Sequence, residues 1–526
     1  MNLIDRTIAA ISPSWALQRQ RARNALAFYN GWSGASLTRP ALAGWRPAAT
    51  DADADLSVDL PMLRSRSQDL YRNAPLAGAA INSMATHVVG TGLSLQPAID
   101  IEGLGWTEDK AEQWKKVLMR RWRLWAESTD CDITRTLNFY LLQDLAFRSM
   151  LLSGDAFGLV TGTTIDGREL IAIQLIEADR ICNRDNEGDS AQLVAGVQMD
   201  RYGAPVAYHI CRSHPGSRTQ TIGPTEWDVI PAYGHTGRRN VIHLFDRLRP
   251  GQTRGVPVLA PVMEHLKQLQ RYTEAELQSA VISGAFAMFI KMDPNAFQDL
   301  FGESSDDYLN AAKSWDGNFP TGSLSGPGKA VNLLPGESID SSNPGRPNSA
   351  FDPFVQAIVR QIGARLGLPF EVLIKHFTSS YSASRAALLD AWRVFRVRRE
   401  MLAAQFCQPI YEEWLAWEVA NGRINAPGFF TNPDLRAAYC SANWIGDGPG
   451  SIDPEKEVRA AERRVALGIS TLAAESILHD GVDWETKHAQ RVKEVTMRRE
   501  AGIEEGPAKK TRTTEPAPSD PGLPEP

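Results

Sequence analysis

Residues 350–400 read AFDPFVQAIVRQIGARLGLPFEVLIKHFTSSYSASRAALLDAWRVFRVRRE, and the fold turns on how this stretch breaks. A helical pattern from Ala350 to Leu366 stops at Gly367-Leu368-Pro369. Glycine just past the last turn takes left-handed backbone without steric cost, and a proline two residues on cannot extend the ladder. A short turn follows, Phe370 to Phe377, then a small-polar run, Thr378-Ser379-Ser380-Tyr381-Ser382. An arginine-rich helix is predicted from about Ser384 to Phe406. The stretch therefore encodes a helix, a kinked loop and a helix. No catalytic constellation accompanies it.

Charge sharpens the picture. Residues 360–400 carry Arg360, Arg365, Lys375, Arg385, Arg393, Arg396, Arg398 and Arg399 against Glu371, Asp390 and Glu400, a balance of +5. Residues 293–340 are the opposite. Asp293, Asp299, Glu303, Asp306, Asp307, Asp316, Glu337 and Asp340 face Lys313 and Lys329, a balance of −6. That equals the formal net charge of the whole 526-residue chain. The protein is polarised locally and bland on average, which argues against a bulk electrostatic grip on nucleic acid.

Upstream of the kink lies the longest helix candidate, Val258 to Ile282, with Leu259, Val262, Met263, Leu266, Leu269, Leu277 and Val281 on one face. At 1.5 Å per residue it spans roughly 40 Å, and a single apolar stripe that long implies packing against other long helices. Between it and residue 350 sits a module read as strand (Phe286 to Lys291), helix (Asn295 to Trp315), Gly/Pro/Ser loop and strand (Lys329 to Leu334). Residues 161–246 are β-rich, with runs at Leu170 to Ile176, Leu193 to Met199, Pro205 to Ile210 and Val241 to Phe245. Helices are predicted over 62–89, 107–126 and from Phe139 to about Ser153, where Ser153-Gly154-Asp155 leads into a strand. Residues 17–60 read as a loose arm. Three helices are predicted over 453–500, and the last 26 residues, with six prolines and no aromatic, as disordered tail. The fold class is α+β.

Composition and motifs exclude several functions. No apolar run reaches the roughly 18 residues of a membrane span, and no signal-peptide pattern opens the chain, so the sequence predicts a cytoplasm-like site of synthesis. Cys131, Cys182, Cys211, Cys407 and Cys440 are too scattered for zinc or a disulfide framework. Gly322 to Lys329 brushes against a phosphate loop but fails it: Ser323 stands where the first glycine belongs, and Ala330 where a hydroxyl would hold Mg²⁺. Neither a His-Glu-x-x-His nor a Gly-x-Ser-x-Gly motif occurs. The acidic module offers carboxylates for Mg²⁺, although a run on an exposed helix is more often simply solvated. Trp106, Trp114, Trp122 and Trp125 among Lys115, Lys116, Arg120, Arg121 and Arg123 allow base stacking, with core on one face and solvated charge on the other as the plainer reading. The sequence implies no cofactor, no metal and no enzyme.

Seven segments, in order, resemble the lambda-type family of tailed-bacteriophage portal proteins over about residues 25–500. They are Leu63 to Asn73, Val88-Val89-Gly90-Thr91-Gly92, Gln174 to Ile181, and Phe245-Asp246-Arg247 with Arg249 to Pro257. Leu333 to Glu337, Leu366 to Glu371, and Tyr381-Ser382 with Arg385 to Leu389 complete the set. One departure is Ser380-Tyr381-Ser382-Ala383, where the family usually reads Asn-Tyr-Ser-Ser.

The resemblance implies a dodecameric ring at one capsid vertex, a conduit for double-stranded DNA without sequence specificity. Its implied partners are the terminase large subunit, major capsid and scaffolding proteins and a head–tail adaptor, with no membrane. The location implied is the virion, with host cytoplasm during assembly. It further implies an N-terminal arm (1–24), wing (25–254), stem helix (255–285), clip (286–345) and second stem helix (346–366). Tunnel loop and following helix (367–399), wing return (400–450), helical crown (451–500) and tail (501–526) follow. The 161–246 region is the alternative clip. The first choice is preferred because it alone puts a compact module between two helices just before the kinked loop.

On that plan Lys375, Phe377, Thr378, Ser379, Ser380, Tyr381 and Ser382 line the DNA channel. Asp299, Glu303, Asp306, Asp307 and Asp316 form a docking surface on the clip. Arg385, Arg393, Arg396 and Arg399 serve ring contacts or the channel. Small hydroxyls touch phosphates without reading bases, and a conduit that bound DNA tightly would stall it. A head–tail adaptor, a minor capsid protein or a packaging motor or nuclease are the competing expectations.

Overall fold

The computed structural model describes residues 12–29, 32–37, 39–165, 167–217, 226–284, 288–292, 306, 337–341, 350–376, 380–449, 454–482 and 484–503. At 23–29, 186, 282–292, 337–341, 381 and 486, side chains lie outside that description. The chain divides into two units at Asp55/Leu56. In the first, α1 (Pro13–Tyr29) is a helix where the sequence reads as a loose arm. Helix α2 (Ala52–Leu56) runs into the second unit.

The second unit begins with α3 (Leu60–Asn73) and α4 (Pro75–Val88), followed by β1 (Ser94–Pro97) and α5 (Ile101–Leu104). The single helix expected over 62–89 is therefore two. Pro75 is the reason: it starts a helix readily at the first position, and it holds Ala74 extended at φ −107° and ψ 109°. Helix α6 (Glu108–Ala126) starts under a Thr107 cap and α7 (Phe139–Ser153) under an Asn138 cap that accepts from the Leu141 N–H at 3.0 Å.

Two small antiparallel sheets follow. Strands β2 (Asp155–Ile165) and β3 (Arg168–Ile176) pair with each other, and β2 pairs on its other edge with β8. Strands β4 (Leu193–Val194), β5 (Val197–Met199), β6 (Pro205–Cys211) and β7 (Trp227–Pro231) form the second sheet, and β8 (Val241–Phe245) returns to the first. The run expected as one strand from Leu193 to Met199 is a tight hairpin. Ala195 and Gly196 both take positive φ, 45° and 83°, and an added Cβ on Gly196 would meet the Cys182 backbone N at 2.4 Å.

The long helix α8 (Met263–Gly284) starts five residues later than expected, after a short 3₁₀ turn at Ala260–Val262. Strands β9 (Met288–Met292) and β10 (Glu337–Ser341) pair antiparallel; the strand expected at Lys329 to Leu334 lies outside the described residues. Then come α9 (Phe351–Leu366), α10 (Phe370–Ile374) and α11 (Tyr381–Leu402). Through one π-helical turn (Ala403–Cys407) α11 continues into α12 (Gln408–Ala420). Helix α13 (Pro433–Cys440) and β11 (Ala442–Ile445) follow, β11 pairing with β1 across the chain. Three helices end the described chain: α14 (Pro454–Ala466), α15 (Leu472–Asp480) and α16 (Trp484–Glu500).

The main core lies where α6, α7 and α12 meet. Trp122 is fully buried, with ring centroids of Trp125 and Trp414 at 5.0 Å, Phe139 at 5.2 Å and Tyr411 at 5.7 Å. Trp114, Trp122 and Trp125 are thus core, and Trp106 packs on Trp114 and Tyr439. The tryptophan stripe is used for packing rather than presented for base stacking, worth roughly 0.5–1.5 kcal/mol per aromatic pair beyond buried area. Lys116, Arg120 and Arg123 remain exposed on the opposite face.

Candidate functional site

The kinked segment is built by backbone geometry. Gly367 caps α9 in left-handed conformation, φ 71°, and a Cβ there would meet Val394 Cγ1 at 2.9 Å. Gly363 lies equally close to the chain, with a virtual Cβ 2.5 Å from the Leu368 carbonyl oxygen. The turn therefore folds back tightly, and α9 meets α11 where only glycine fits. Lys375 ends α10 with φ 55°, an uncommon conformation for a residue with a Cβ. Ser380 caps α11, its Oγ accepting from the Ala383 N–H at 3.4 Å.

The loop is consequently shorter than the sequence suggests, because α11 begins at Tyr381 and takes Ser382 into its first turn. A serine cap three residues before the first alanines is the signal that would have placed this start. Lys375, Ser380 and Ser382 are exposed. Phe377, Thr378 and Ser379, and the side chain of Tyr381, lie outside the described residues. So do Asp299, Glu303, Asp307 and Asp316, and of the acidic group Asp306 alone is described, exposed and helical.

The four arginines of α11 separate. Arg393 and Arg396 are exposed at helical spacing on one face with Ser382, Leu389, Asp390, Val397 and Glu400. Two carboxylates share that face, so it is no continuous basic strip. Arg385 is half-buried and pairs with Glu457 of α14 at 3.3 Å. Arg399 points back into its own chain. Its Nε and Nη2 donate to the carbonyls of Val88 and His87, and Nη1 to that of Asp447, each at 3.0 Å. It thus satisfies the last carbonyls of α4, and burial lowers its pKa against the raising effect of Asp447. This geometry favours an internal role for Arg399.

Sequence reading overlooked a second cluster. Asp155, wholly buried at the start of β2, accepts from Arg64 Nη2 at 2.6 Å, Arg254 Nε at 3.0 Å and the Gly255 N–H at 2.7 Å. His243 Nε2 lies 2.8 Å from its Oδ1. The remaining guanidinium donors reach carbonyls. Arg64 bonds those of Ser153 and Ala178, and Arg254 those of Ala178, Ile181 and Ala195. Burial alone would raise the Asp155 pKa, but Arg254, His243 and Arg64 together hold it well below the usual carboxylate range. Burial, helped by Arg254, lowers Arg64 to about 10. Burial also lowers His243.

Gly154 and Gly255 make this possible. A Cβ on Gly255 would lie 2.0 Å from the Gly154 carbonyl oxygen, so the two backbones touch. Arg64 and the Arg254-Gly255 pair belong to two of the segments that carried the resemblance. Their role is to tie α3, β2 and the approach to α8 into one body.

Between α11 and the three C-terminal helices lies a cavity of about 1710 Å³, lined by Leu388, Trp392 and Phe395 and by Val458, Leu472 and Val492. Among the described residues α14 has no buried side chain and α15 one, Ser476. No group of side chains among the described residues is arranged to hold a metal ion, and no described helix is long and apolar enough to cross a membrane.

The sequence pattern described as phage portal protein, lambda family, matches residues 38–399. Portal protein B of Escherichia phage lambda is 28% identical over 477 residues, covering 88% of each chain. The portal protein of Escherichia phage N15 is 28% identical over 480 residues, covering 88% of this chain and 89% of that one. A probable portal protein of Halomonas phage phiHAP-1 is 23% identical over 449 residues, covering 84% and 79%. Among solved structures, the neck of an empty gene transfer agent particle aligns with a TM-score of 0.47 at 14% identity, covering 84% of this chain and 98% of that one. The neck of the native particle aligns at 0.43 and 13%, covering 78% and 92%.

Proposed function

The chain belongs to the lambda family of phage portal proteins, and on that premise we propose that it acts as a ring of identical subunits at one capsid vertex. Twelve is the expected number. The ring is a passive conduit for double-stranded DNA during packaging and ejection, without sequence preference and without catalysis of its own. It presents docking surfaces to the terminase large subunit, to capsid and scaffolding proteins and to a head–tail adaptor. Its place is the virion, reached from the host cytoplasm during assembly. The family match over residues 38–399 carries this reading.

Three features of the chain support it. Helices α8 and α9 lie side by side through Tyr272 against Phe351 at 5.5 Å and Phe354 at 5.2 Å, as a two-helix stem would. Leu277 and Val281, farther along α8, are 67% and 65% exposed, an apolar stripe suited to a neighbouring subunit. The C-terminal helices likewise keep Val458, Leu472 and Val492 more than half exposed. The kinked segment 375–382, with Lys375, Phe377, Thr378, Ser379, Ser380, Tyr381 and Ser382, is assigned to the channel wall. Arg393 and Arg396, beside Asp390 and Glu400, give a face of nearly balanced charge, which lets DNA slide. Arg385 is assigned to the crown contact, and Asp299, Glu303, Asp306, Asp307 and Asp316 to motor or adaptor docking on the clip, residues 286–345.

Electron microscopy of the purified protein tests the reading. Rings with a central opening wide enough for a duplex are expected. A stable monomer that hydrolyses ATP unaided would sink it.

A further inference from the structure

One segment that carried the resemblance, Phe245-Asp246-Arg247 with Gly251-Gln252-Thr253, is not used up by the ionic cluster beneath it. It forms one wall of a separate cavity of about 220 Å³ between the two sheets. Tyr208, Tyr233, Arg239, His243, Arg247 and Thr253 line it. No aspartate or glutamate among the described residues lines it.

Both arginines are held by aromatic rings rather than by a carboxylate. The Arg239 guanidinium lies 5.3 Å from the Tyr233 ring centroid, and that of Arg247 lies 5.4 Å from Phe245. Glu413, the acid that acts on Arg239, already accepts from the Arg239 backbone N–H at 3.0 Å and faces Arg238 at 3.9 Å. Stacking fixes a guanidinium's plane and leaves its edge donors free. Tyr208 is buried, and burial pushes its pKa up to about 12, so its hydroxyl stays a donor. His243 stacks between Phe157 at 4.2 Å and Phe245 at 4.3 Å, with Nε2 occupied by Asp155. The cavity thus gathers two positive charges and phenol donors, with no carboxylate among its described lining residues.

We propose that this cavity is an anion site for a phosphate group, gripped by Arg239 and Arg247 with help from Tyr208. Two guanidiniums lining one small cavity suit the several oxygens of a tetrahedral anion better than a lone carboxylate. The volume admits one such group with a few waters. The source is either the free ion or a phosphate of a DNA backbone; the chemistry is shared. The site does not depend on the proposed ring or channel, and it stands or falls separately.

Titration of the full-length protein with inorganic phosphate, followed by ³¹P line broadening at constant ionic strength, tests it. Wild-type protein is expected to bind with a dissociation constant of about 1 mM or tighter. Arg247→Ala, at an exposed position, and Arg239→Gln should each weaken binding at least tenfold, with circular dichroism unchanged. Arg249→Ala, also exposed but outside the cavity, should bind as wild type. A short duplex that displaces phosphate would identify the backbone as source; one that does not would identify the free ion. Wild-type protein that leaves the phosphate line unaltered would overturn the site, as would an Arg247→Ala variant that binds equally. Acetate that competes as well as phosphate would overturn the tetrahedral assignment.

Discussion

Arg64 and Arg254 are almost wholly buried around one aspartate, whereas Arg393 and Arg396 stand in solvent on α11. In the sequence the two pairs look alike. The buried pair is a matter of folding: a charge out of water must be answered completely, and each guanidinium here meets a carboxylate and at least two carbonyls. The exposed pair contributes little to the fold and is free for a partner. Arginine's role is set by what desolvates it, not by how densely it occurs.

The sharpest way to break this contrast is at Asp155. Asp155→Asn should destabilise by about 3–5 kcal/mol, since it leaves two buried guanidiniums without their shared carboxylate; Arg254→Met, which leaves Asp155 paired with Arg64, should cost less. Denaturant midpoints would show it, and soluble protein of wild-type stability would refute the pairing argument. The pH dependence has a fixed sign. The folded Asp155 pKa lies below its unfolded value, so its stabilisation is complete above about pH 4 and is lost progressively as pH falls below that. In Asp155→Asn this acid limb should flatten. A rise in stability on acidification of the wild type would count against the assignment.

Gly255→Ala tests the same cluster through backbone alone. With a Cβ 2.0 Å from a carbonyl oxygen, one of the two backbones must move, at a cost of about 2–3 kcal/mol. Thermal unfolding reads it, and a neutral result would show that the glycine contact is slack. Arg399→Ala is intermediate. It removes three hydrogen bonds to carbonyls at 3.0 Å and should cost about 1–2 kcal/mol, with hydrogen exchange rising first at the end of α4. Were Arg399 a pure ring contact, subunit stability would not change and assembly alone would suffer. The double variant Arg393→Ala/Arg396→Ala should lie within about 0.5 kcal/mol of wild type. If the proposed channel role holds, its effect is expected in the salt dependence of DNA retention by assembled particles, and a large loss of stability would erase the contrast.

Much of the architecture was legible because local signals fix local structure. Gly367 stops α9 as expected, and Thr471 caps α15, accepting from the Ala474 N–H at 3.1 Å. Strands β1 and β11 were missed because each is four residues long and they pair across more than 300 positions. Strand β7 followed no clear alternation, its side chains being half-buried or exposed throughout. The ionic cluster was illegible for a related reason. Arg64, Asp155 and Arg254 lie roughly 90 to 100 residues apart, and nothing in a single sequence announces that such residues meet. The kinked segment was read correctly as a break, but its length was overestimated because Ser380 was counted as loop when it caps the helix.

The contact between Gly154 and Gly255 has a mechanical side. Gly255 donates to Asp155, and three residues on the Val258 N–H donates to the Leu151 carbonyl at 2.9 Å, so the strand leading into α8 is bonded twice to the end of α7 and the start of β2. The long helix is therefore a lever anchored at its base. Load applied along it would pass through backbone bonds and buried ion pairs into the body.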